Sequence, residues 1–547
     1  MIKKLIWIVF GVIILIAIFL RFYQLGNVPP SPDWDEVALG YNTYSIIQTG
    51  RDEFGKFLPV VLRSFDDYKP ALYSYLSIPS ILAFGLNIFA VRFPSAFFGV
   101  ASVIAVFFLI RDLFVSYKFR DCLALLTSFF LAVSPWSLQF SRIGFEANVG
   151  SSFNILIVLF FLKGLKKPWF LYVSAIFVGL APYIYQSTRV FTPLLVIALI
   201  LIYRKQLFSI SKKYLISAVV LVLVVLTPMV IYVLTDSSSL LRVKGTSIFS
   251  YKTELLKTNT QKLERDIKDG NKIGFLLDNR RIVYAKTIVS GYISHFDLNW
   301  LFMTGDISRH HAPSVGLLYL FELPLILIGI YSLIFGKFDK KSKLIIFFWF
   351  LIAPIPASVT TGVPHAVRTL NFLPTWHIFS AIGLIALVLA IQKFKKIIYV
   401  SYVFFASIFL FNFSFFLNQY FVQQNYYYSQ DWQYGYRQVI DEIKPIEKNY
   451  QKIVVSDKQP MDKSYMFFLF YLKYSPKDYQ EIGMGSSGGF AEHQSFGKYE
   501  FRPIDWSKDA NHKDVLYIGN PDEIPAAAAF KTINNLDGMP AIRVAKT

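Results

Sequence analysis

The sequence has little charge and a single cysteine. Asp, Glu, Lys and Arg make up 17% of its 547 residues, whereas globular proteins in water carry about 25%. Because Cys122 is the only cysteine, no disulfide can form within the chain, and a disulfide-rich secreted scaffold is excluded. Hydrophobic residues make up 54% of the chain, which excludes intrinsic disorder and favours an integral membrane protein.

Apolar stretches near the length that crosses a bilayer as a helix recur along the chain. A span needs about 20 predominantly apolar residues. The sequence therefore predicts a polytopic α-helical membrane protein with about eleven transmembrane helices, at roughly 5–20, 89–110, 121–140, 147–163, 169–187, 190–203, 214–235, 316–336, 343–360, 370–391 and 397–420.

Basic residues outnumber acidic ones, 55 against 36, for a net charge of +19. In a soluble protein this excess would indicate nucleic acid, but here Lys and Arg concentrate in alternate loops between the predicted spans. The positive-inside rule places those loops in the cytoplasm, together with Lys3, Lys4 and Lys393. We therefore expect a cell-membrane protein with a cytoplasmic N-terminus, an uncleaved first span and no nucleic-acid partner.

Three larger segments are then extracytoplasmic, at 21–88, 236–315 and 421–547. The last is predicted to be a small α/β domain, following a transmembrane module at 1–420. Its predicted elements are amphipathic or apolar helices and β-branched strands, with a Gly- and Ser-rich loop between them: Trp432–Lys444, Lys452–Ser456, Tyr465–Tyr474, Ser486–Gly489 and Val515–Gly519.

Three carboxylates lie within four residues in the first extracytoplasmic segment: Asp33, Asp35 and Glu36. They follow a proline-rich turn and precede an amphipathic helix, so one interpretation is an N-terminal cap that satisfies free amides. The other is a general base, since a carboxylate at a membrane-facing cavity can accept a proton from a hydroxyl.

Cationic residues at the outer ends of the spans also have two interpretations. Lys69 is either a lysine that snorkels to the interface or a partner of a phosphate. Arg142 and Glu146 have the spacing of an ion pair along a helix. Arg368 can pair with a phosphate or with a lipid headgroup.

Histidines give no clear metal pattern. His310 and His311 are adjacent, and adjacent side chains of a strand point to opposite faces, so no metal site is predicted there. His365 lies in a loop between two spans. His377 lies inside a span, where a satisfied core histidine is the simpler interpretation. The chain has no P-loop and no His-Glu-x-x-His motif, so ATP-driven chemistry is not expected.

The order of these motifs along the chain resembles that of the membrane glycosyltransferases of the GT-C superfamily. The resemblance is to the branch of protein O-mannosyltransferases and aminoarabinose lipid A transferases. The resemblance covers roughly 1–420. It is carried by the following residues: Arg21–Gly26, Asp35 with Glu36, Lys69–Tyr73, Phe89–Ala96, Ser141–Glu146, Pro324, and Arg368 with Pro374.

The resemblance implies an enzyme that moves a sugar, with inversion, from a polyprenyl-phosphate donor to a protein, lipid or cell-envelope acceptor on the outer side. Asp35 is then the catalytic base and Glu36 its partner. The residues expected to bind the donor phosphate are Lys69, Arg142 and Arg368. Those expected to bind substrate are Asp33, Glu146 and His365. Many relatives have Asp where this chain has Glu146.

The resemblance also bears on cofactors. The protein-mannosyltransferase branch requires none, whereas oligosaccharyltransferase relatives hold a divalent cation at acidic loop motifs. Binding of Mg²⁺ or Mn²⁺ near Asp33 or Asp35 is therefore a second alternative.

Two other classes fit the same composition. A transporter or flippase for a lipid-linked substrate also has many spans and intramembrane polar groups, but transporters often show inverted repeats and helices broken midway through a span. A non-catalytic scaffold would display the C-terminal domain and tolerate neutral residues at Asp35 and Lys69. The clustering of charge at the outer span ends favours the transferase.

Overall fold

The computed structural model describes residues 2–65, 67–236, 245–249, 254–392, 394–482 and 494–547. The predicted loop at Ser486–Gly489 and the predicted cytoplasmic Lys393 lie outside these residues.

Most of the described chain is α-helical. The principal helices before residue 420 are α1 (Ile2–Phe22), α2 (Trp34–Thr49), α3 (Leu72–Phe84), α4 (Ile88–Leu113), α5 (Arg120–Val133), α6 (Pro135–Ser141), α7 (Glu146–Gly164), α8 (Phe170–Leu180), α9 (Thr188–Leu207), α10 (Lys212–Thr235), α11 (Glu254–Lys268), α12 (Lys272–Leu277), α13 (Arg280–Ser294), α14 (Glu322–Phe335), α15 (Lys340–Ile352), α16 (Thr375–Ile391) and α17 (Lys395–Asn418).

Eight helices among the described residues are long and apolar enough to cross a membrane. The predicted span at 121–140 is a broken helix, because α5 and α6 meet at an angle of 58°. The predicted spans at 169–187 and 316–336 correspond to shorter apolar helices, which include α8 and α14. The helical multi-pass fold predicted from the sequence is therefore confirmed.

The chain divides into two compact units, each assembled from separated stretches. The first, here called the helical unit, comprises 1–13, 102–136 and 150–409. The second, here called the sheet unit, comprises 14–101, 137–149 and 410–547. The predicted first extracytoplasmic segment and the predicted C-terminal domain thus lie mainly in the same unit.

Two glycines let α14 and α16 of the helical unit approach each other closely. A Cβ atom on Gly329 would lie 1.9 Å from the carbonyl oxygen of Phe379, and one on Gly383 would lie 1.8 Å from that of Leu325. Any side chain here would clash with backbone, so only glycine permits this crossing. Small residues serve the same purpose between membrane helices generally.

The sheet unit contains a two-stranded hairpin, β1 (Val61–Ser64) and β2 (Asp67–Pro70), and a six-stranded sheet. The strands of the sheet are β3 (Lys452–Val455), β4 (Ser495–Phe496), β5 (Tyr499–Phe501), β6 (Val515–Gly519), β7 (Ala529–Asn534) and β8 (Pro540–Lys546).

The strand order of the sheet is β4-β5-β3-β6-β8-β7. The central strand β3 runs parallel to β5 and β6, and the other pairs are antiparallel. Every residue of β6 is buried, as are the last three residues of β3, which matches the continuous apolar runs of parallel strands. With α18 (Tyr436–Ile443), α19 (Ser464–Leu472) and α20 (Pro476–Glu481), this confirms the predicted small C-terminal α/β fold.

Helix α2 shares one hydrophobic core with this sheet and its helices. Val37 and Tyr41 of α2 are fully buried in that core, and the Tyr41 hydroxyl donates to the carbonyl oxygen of Tyr474 (3.1 Å). Other core members are Val439, Ile453, Met466, Phe470, Leu516 and Val544. The helix that begins in the predicted catalytic loop is therefore packed against the C-terminal part of the chain.

Candidate functional site

Asp33 is the N-cap of α2. Its Oδ1 accepts hydrogen bonds from the amides of Asp35 (2.6 Å) and Glu36 (3.3 Å), and Glu36 Oε2 accepts one from the Asp33 amide (3.1 Å). This capping box satisfies amides that the first turn leaves unpaired. The capping interpretation holds for Asp33, and its role in binding substrate stays a prediction.

Glu36 forms a fully buried ion pair with Arg92 of α4. Arg92 Nε donates to Glu36 Oε1 (2.7 Å), Arg92 Nη2 donates to Oε2 (2.9 Å), and the Gly144 amide also donates to Oε1 (2.7 Å). The other guanidinium hydrogen bonds reach the carbonyl oxygens of Leu25, Pro29 and Ser31. Because a bidentate pair fixes direction as well as distance, Glu36 holds the first turn of α2 in place.

Asp35 forms an ion pair with Lys69. Lys69 lies on β2, opposite Leu62 of β1, so the hairpin presents its ammonium to the start of α2. The Lys69 side chain is 9% exposed and the Asp35 side chain 28% exposed. The carboxylate thus keeps an open side, which a substrate hydroxyl could reach.

A second lysine approaches the same turn. The Lys463 ammonium lies 4.4 Å from the centre of the Trp34 ring and 2.6 Å from the Asp462 carboxylate. A cation over an indole face is attracted by the negative face of the ring. The residue next to Asp35 is therefore fixed by a side chain from the C-terminal part of the sheet unit.

The carboxylates of this turn do not fit a divalent cation. Asp33 accepts from backbone amides, Asp35 pairs with Lys69, and Glu36 pairs with Arg92. Hard cations need several oxygen ligands directed at one point, and these oxygens are directed at protein donors. The geometry therefore gives no support to Mg²⁺ or Mn²⁺ at Asp33 or Asp35.

Arg142 is buried and engaged by the protein itself. It donates to the carbonyl oxygens of Leu20 (2.7 Å) and Val28 (3.1 Å) and to the Tyr420 hydroxyl (3.3 Å), and it stacks 4.7 Å from the centre of the Phe421 ring. Burial lowers the pKa of Arg142, and Tyr420 opposes that shift. These contacts tie the end of α1 and the chain after it to the segment after α17, so the geometry favours a structural role over phosphate binding.

Glu146 is the first residue of α7 and is 7% exposed. A carboxylate in the first turn complements the helix dipole. Its predicted role in binding substrate stays a prediction.

Arg368 lies in the helical unit, on a cavity of about 370 Å³ that Arg189 also lines. Arg368 donates to the Thr360 hydroxyl (2.5 Å) and to the Thr361 carbonyl oxygen (2.6 Å). The remaining lining includes the apolar side chains of Val190, Phe249, Pro356 and Val359. A cavity with apolar walls and two guanidinium groups suits an amphipathic anion.

His365 also lies in the helical unit, in a cluster with Asp306 and His310. One ligating atom from each of the three side chains lies within 4.8 Å of the others. Burial raises the pKa of Asp306, but His310, His365 and the Ala366 amide outweigh burial and hold that pKa below its ordinary value. Burial, Arg368 and His310 lower the pKa of His365 well below its usual range.

The structure thus brings Asp33, Asp35, Glu36, Lys69 and Arg142 into one compact unit, and places His365 and Arg368 in the other. Sequence reasoning gave no role to Arg92, Lys463 or Asp306. For Arg92 a signal existed, because an arginine inside a 26-residue apolar helix requires a buried partner.

A family model described as dolichyl-phosphate-mannose-protein mannosyltransferase matches residues 68–232, a stretch that includes Lys69, Arg92 and Arg142. No curated protein matches the sequence.

Solved structures share the fold. ArnT from Cupriavidus metallidurans bound to undecaprenyl phosphate has a TM-score of 0.57 at 12% identity, over 98% of each chain, and its apo form has a TM-score of 0.55 at 11% identity, over 100% of this chain and 98% of that one. The Archaeoglobus fulgidus oligosaccharyltransferase tethered to an acceptor peptide has a TM-score of 0.51 at 11% identity and 86% coverage of this chain.

The chain spans 63% of the length of that oligosaccharyltransferase, while it matches ArnT over nearly the full length of both. Over residues 68–232 the chain is thus similar to the dolichyl-phosphate-mannose-protein mannosyltransferase family, and it shares the membrane-protein fold of ArnT and of the oligosaccharyltransferase.

Proposed function

We propose that this protein transfers a sugar from a polyprenyl-phosphate donor to an acceptor on the extracytoplasmic face of the cell membrane. The observation that carries the proposal is the ion pair of Asp35 with Lys69 at the first turn of α2. It joins a partly exposed carboxylate, which can accept a proton, to an ammonium, which can bind a phosphate.

The proposed reaction is a single displacement. The acceptor oxygen attacks the anomeric carbon as Asp35 takes its proton. The bond between that carbon and the phosphate oxygen breaks, and the electron pair leaves with the polyprenyl phosphate. Attack opposite the leaving group inverts the anomeric configuration.

Lys69 has two tasks in this scheme. Its ammonium has three hydrogen-bond donors, so it can contact an arriving donor phosphate while still directing Asp35. When the phosphate binds, the Lys69 ammonium interacts with both the phosphate and the Asp35 carboxylate. Because Lys69 then stabilises the Asp35 carboxylate less, Asp35 becomes a better base. As the phosphate leaves, Lys69 stabilises the charge that develops on it in a site of low dielectric.

Glu36 and Arg92 act as positioning residues. Their buried ion pair fixes the position of the first turn of α2 and therefore the orientation of the Asp35 carboxylate. Preorganisation of this kind lowers the barrier because the reacting groups need not be aligned during the reaction.

In the helical unit, the cavity lined by Arg368 and Arg189 is proposed as a separate binding site for a polyprenyl phosphate. Its apolar side chains suit an isoprenoid, and its two guanidinium groups suit a phosphate. That ArnT binds undecaprenyl phosphate supports a donor of this class. The acceptor is proposed to be a protein, lipid or envelope glycan, and the transfer itself to need no metal or other cofactor.

The test is transfer of radiolabelled sugar to a cell-envelope extract from a panel of polyprenyl-phosphate sugars that covers hexoses and pentoses. Purified wild type is compared with Asp35→Asn, and Asp522→Asn at an exposed turn is the matched control. Label should move with wild type and Asp522→Asn, and not with Asp35→Asn.

Transfer by Asp35→Asn at the wild-type rate would overturn the choice of base. Absence of transfer by wild type from every donor, together with uptake of the labelled lipid into the opposite leaflet of proteoliposomes, would support a flippase instead.

A further inference from the structure

We propose that Asp306, His310 and His365 bind one divalent transition-metal ion, with Zn²⁺ the ion that fits best. The proposal concerns metal binding and is independent of the proposed function. It rests on the geometry of three side chains, two of them four residues apart and the third, His365, 55 residues beyond His310.

The three groups converge on one point. Their ligating atoms all lie within 4.8 Å of one another, the Asp306 Oδ2 lies 3.3 Å from His310 Nδ1, and the His310 and His365 ring centres are 5.1 Å apart. Ligand atoms around a tetrahedral zinc are roughly 3.4 Å apart for bonds of about 2.0–2.1 Å. Small side-chain rotations therefore suffice to close the site.

Neighbouring groups already orient the ligands. Asp306 Oδ2 accepts from the Ala366 amide (2.5 Å), and the His365 amide donates to His295 Nε2 (3.2 Å). His295 Nδ1 in turn contacts the Gly291 carbonyl oxygen (2.6 Å). Hydrogen bonds of this kind hold metal ligands in direction.

The donor set selects the class of ion. Two imidazoles and one carboxylate suit Zn²⁺ and its neighbours in the transition series, whereas Mg²⁺ and Ca²⁺ prefer oxygen ligands alone. Nδ1 of His365 is buried and has no hydrogen-bond partner within the described part of the chain. A buried ring nitrogen without a partner is costly, and a metal bond would remove that cost.

Three protein ligands leave a fourth position for water or for a substrate group. The ion would join the segment after α13 to the loop before α16. Arg368 lies three residues beyond His365, so that loop also carries one of the two guanidinium groups of the cavity proposed to bind a polyprenyl phosphate.

The test uses the full-length protein in detergent, stripped with a chelator and dialysed against Zn²⁺. Metal is measured by mass spectrometry and affinity by calorimetry. Wild type should retain one zinc per chain. His310→Ala and His365→Ala should each weaken binding at least tenfold, while His512→Ala, at a histidine of the C-terminal part of the sheet unit, should bind as wild type does.

Zinc binding by both cluster variants at wild-type affinity, or no stoichiometric zinc in wild type, would overturn the proposal. Size-exclusion profiles check that the variants are folded. If the variants aggregate, the visible absorption spectrum of wild-type protein loaded with Co²⁺ is the test. Ligand-field bands of a four-coordinate site with nitrogen and oxygen ligands would support the proposal. The spectrum of hydrated Co²⁺ would refute it. Sugar transfer is not a readout, so failure here is distinguishable from failure of the proposed function.

Discussion

The Lys69 ammonium, presented by a β-hairpin, contacts the carboxylate of Asp35, 34 residues earlier in the chain. The lysine is nearly buried, whereas more than a quarter of the aspartate side chain is exposed. This asymmetry assigns the roles of the proposed reaction. The exposed partner can meet an incoming hydroxyl, and the buried partner supplies charge that water screens only weakly.

Asp33 and Asp35 should respond differently to the same substitution. Asp35→Asn removes the proposed base and should lower turnover by about 10²–10⁴-fold, the usual contribution of general base catalysis. Asp33→Asn should leave turnover near wild type, since Asn is an equally good N-cap. The measurement is sugar transfer at saturating donor. Equal losses in both variants would contradict the separate roles.

Asp33→Ala adds a stability readout to that comparison. Losing the cap should cost about 1 kcal/mol of unfolding free energy. A lower melting temperature in detergent with turnover largely retained is the expected pattern.

Lys69→Ala should lower kcat/KM for the donor by about 10²–10³-fold, the scale of losing one preorganised contact to a developing oxyanion. Lys69→Arg keeps the charge but changes its shape, so it should recover part of the loss. Donor titrations of both variants check this, with Lys513→Ala, at an exposed lysine, as control. A normal kcat/KM in Lys69→Ala would remove Lys69 from the reaction.

The Glu36 and Arg92 pair should be strongly coupled in stability. Removing one partner of a buried pair costs about 3–5 kcal/mol, because the other charge is left unpaired. Glu36→Leu and Arg92→Met should each lower the melting temperature sharply, and the double variant should lose much less than the sum of the two. Additive losses in this cycle would show that the pair is not a unit.

Arg142→Met should affect stability more than donor binding. Its guanidinium hydrogen bonds reach two carbonyl oxygens and a tyrosine hydroxyl, so the variant should unfold at a lower temperature with an unchanged KM for donor. A KM raised tenfold or more at normal melting temperature would instead support the phosphate-binding role that the family resemblance implies.

The C-terminal sheet region should lose stability in acid through Asp509. Burial raises the pKa of Asp509, but its hydrogen bonds from Arg502 (2.7 and 3.0 Å) outweigh burial and lower that pKa. A lowered folded-state pKa gives stability that is present above the unfolded value of about 3.9 and is lost as pH falls through the folded value. Melting temperatures of wild type and Asp509→Asn should therefore differ at pH 6, and the difference should shrink as pH falls below about 3.9 towards the lowered folded-state pKa. A difference independent of pH would contradict this.

A structural feature could be predicted from the sequence when the residues that determine it lie close together along the chain. Eight of the eleven predicted spans, the buried strand at Val515–Gly519 and the cap at Asp33 follow from patterns within one short stretch of the chain, and the structure has each of these. Contacts between residues that are far apart in the sequence could not be predicted. Nothing near Glu36 indicates Arg92, and nothing near His310 indicates His365.

Arg142 shows a further limit. Its position in a family motif implied phosphate binding, but its hydrogen-bond acceptors include main-chain carbonyls at Leu20 and Val28. Carbonyl oxygens belong to every residue, so no pattern of residue types can reveal such a bond. Only the fold shows that this guanidinium is already engaged.

The shared core of α2 and the C-terminal sheet has a consequence for biosynthesis. Val37 and Tyr41 leave the ribosome long before Val544, yet all three belong to one core. Contacts so far apart in sequence form slowly. The proposed catalytic loop is therefore synthesised early and packed late, and its apolar face stays uncovered during translation until the C-terminal strands have been made.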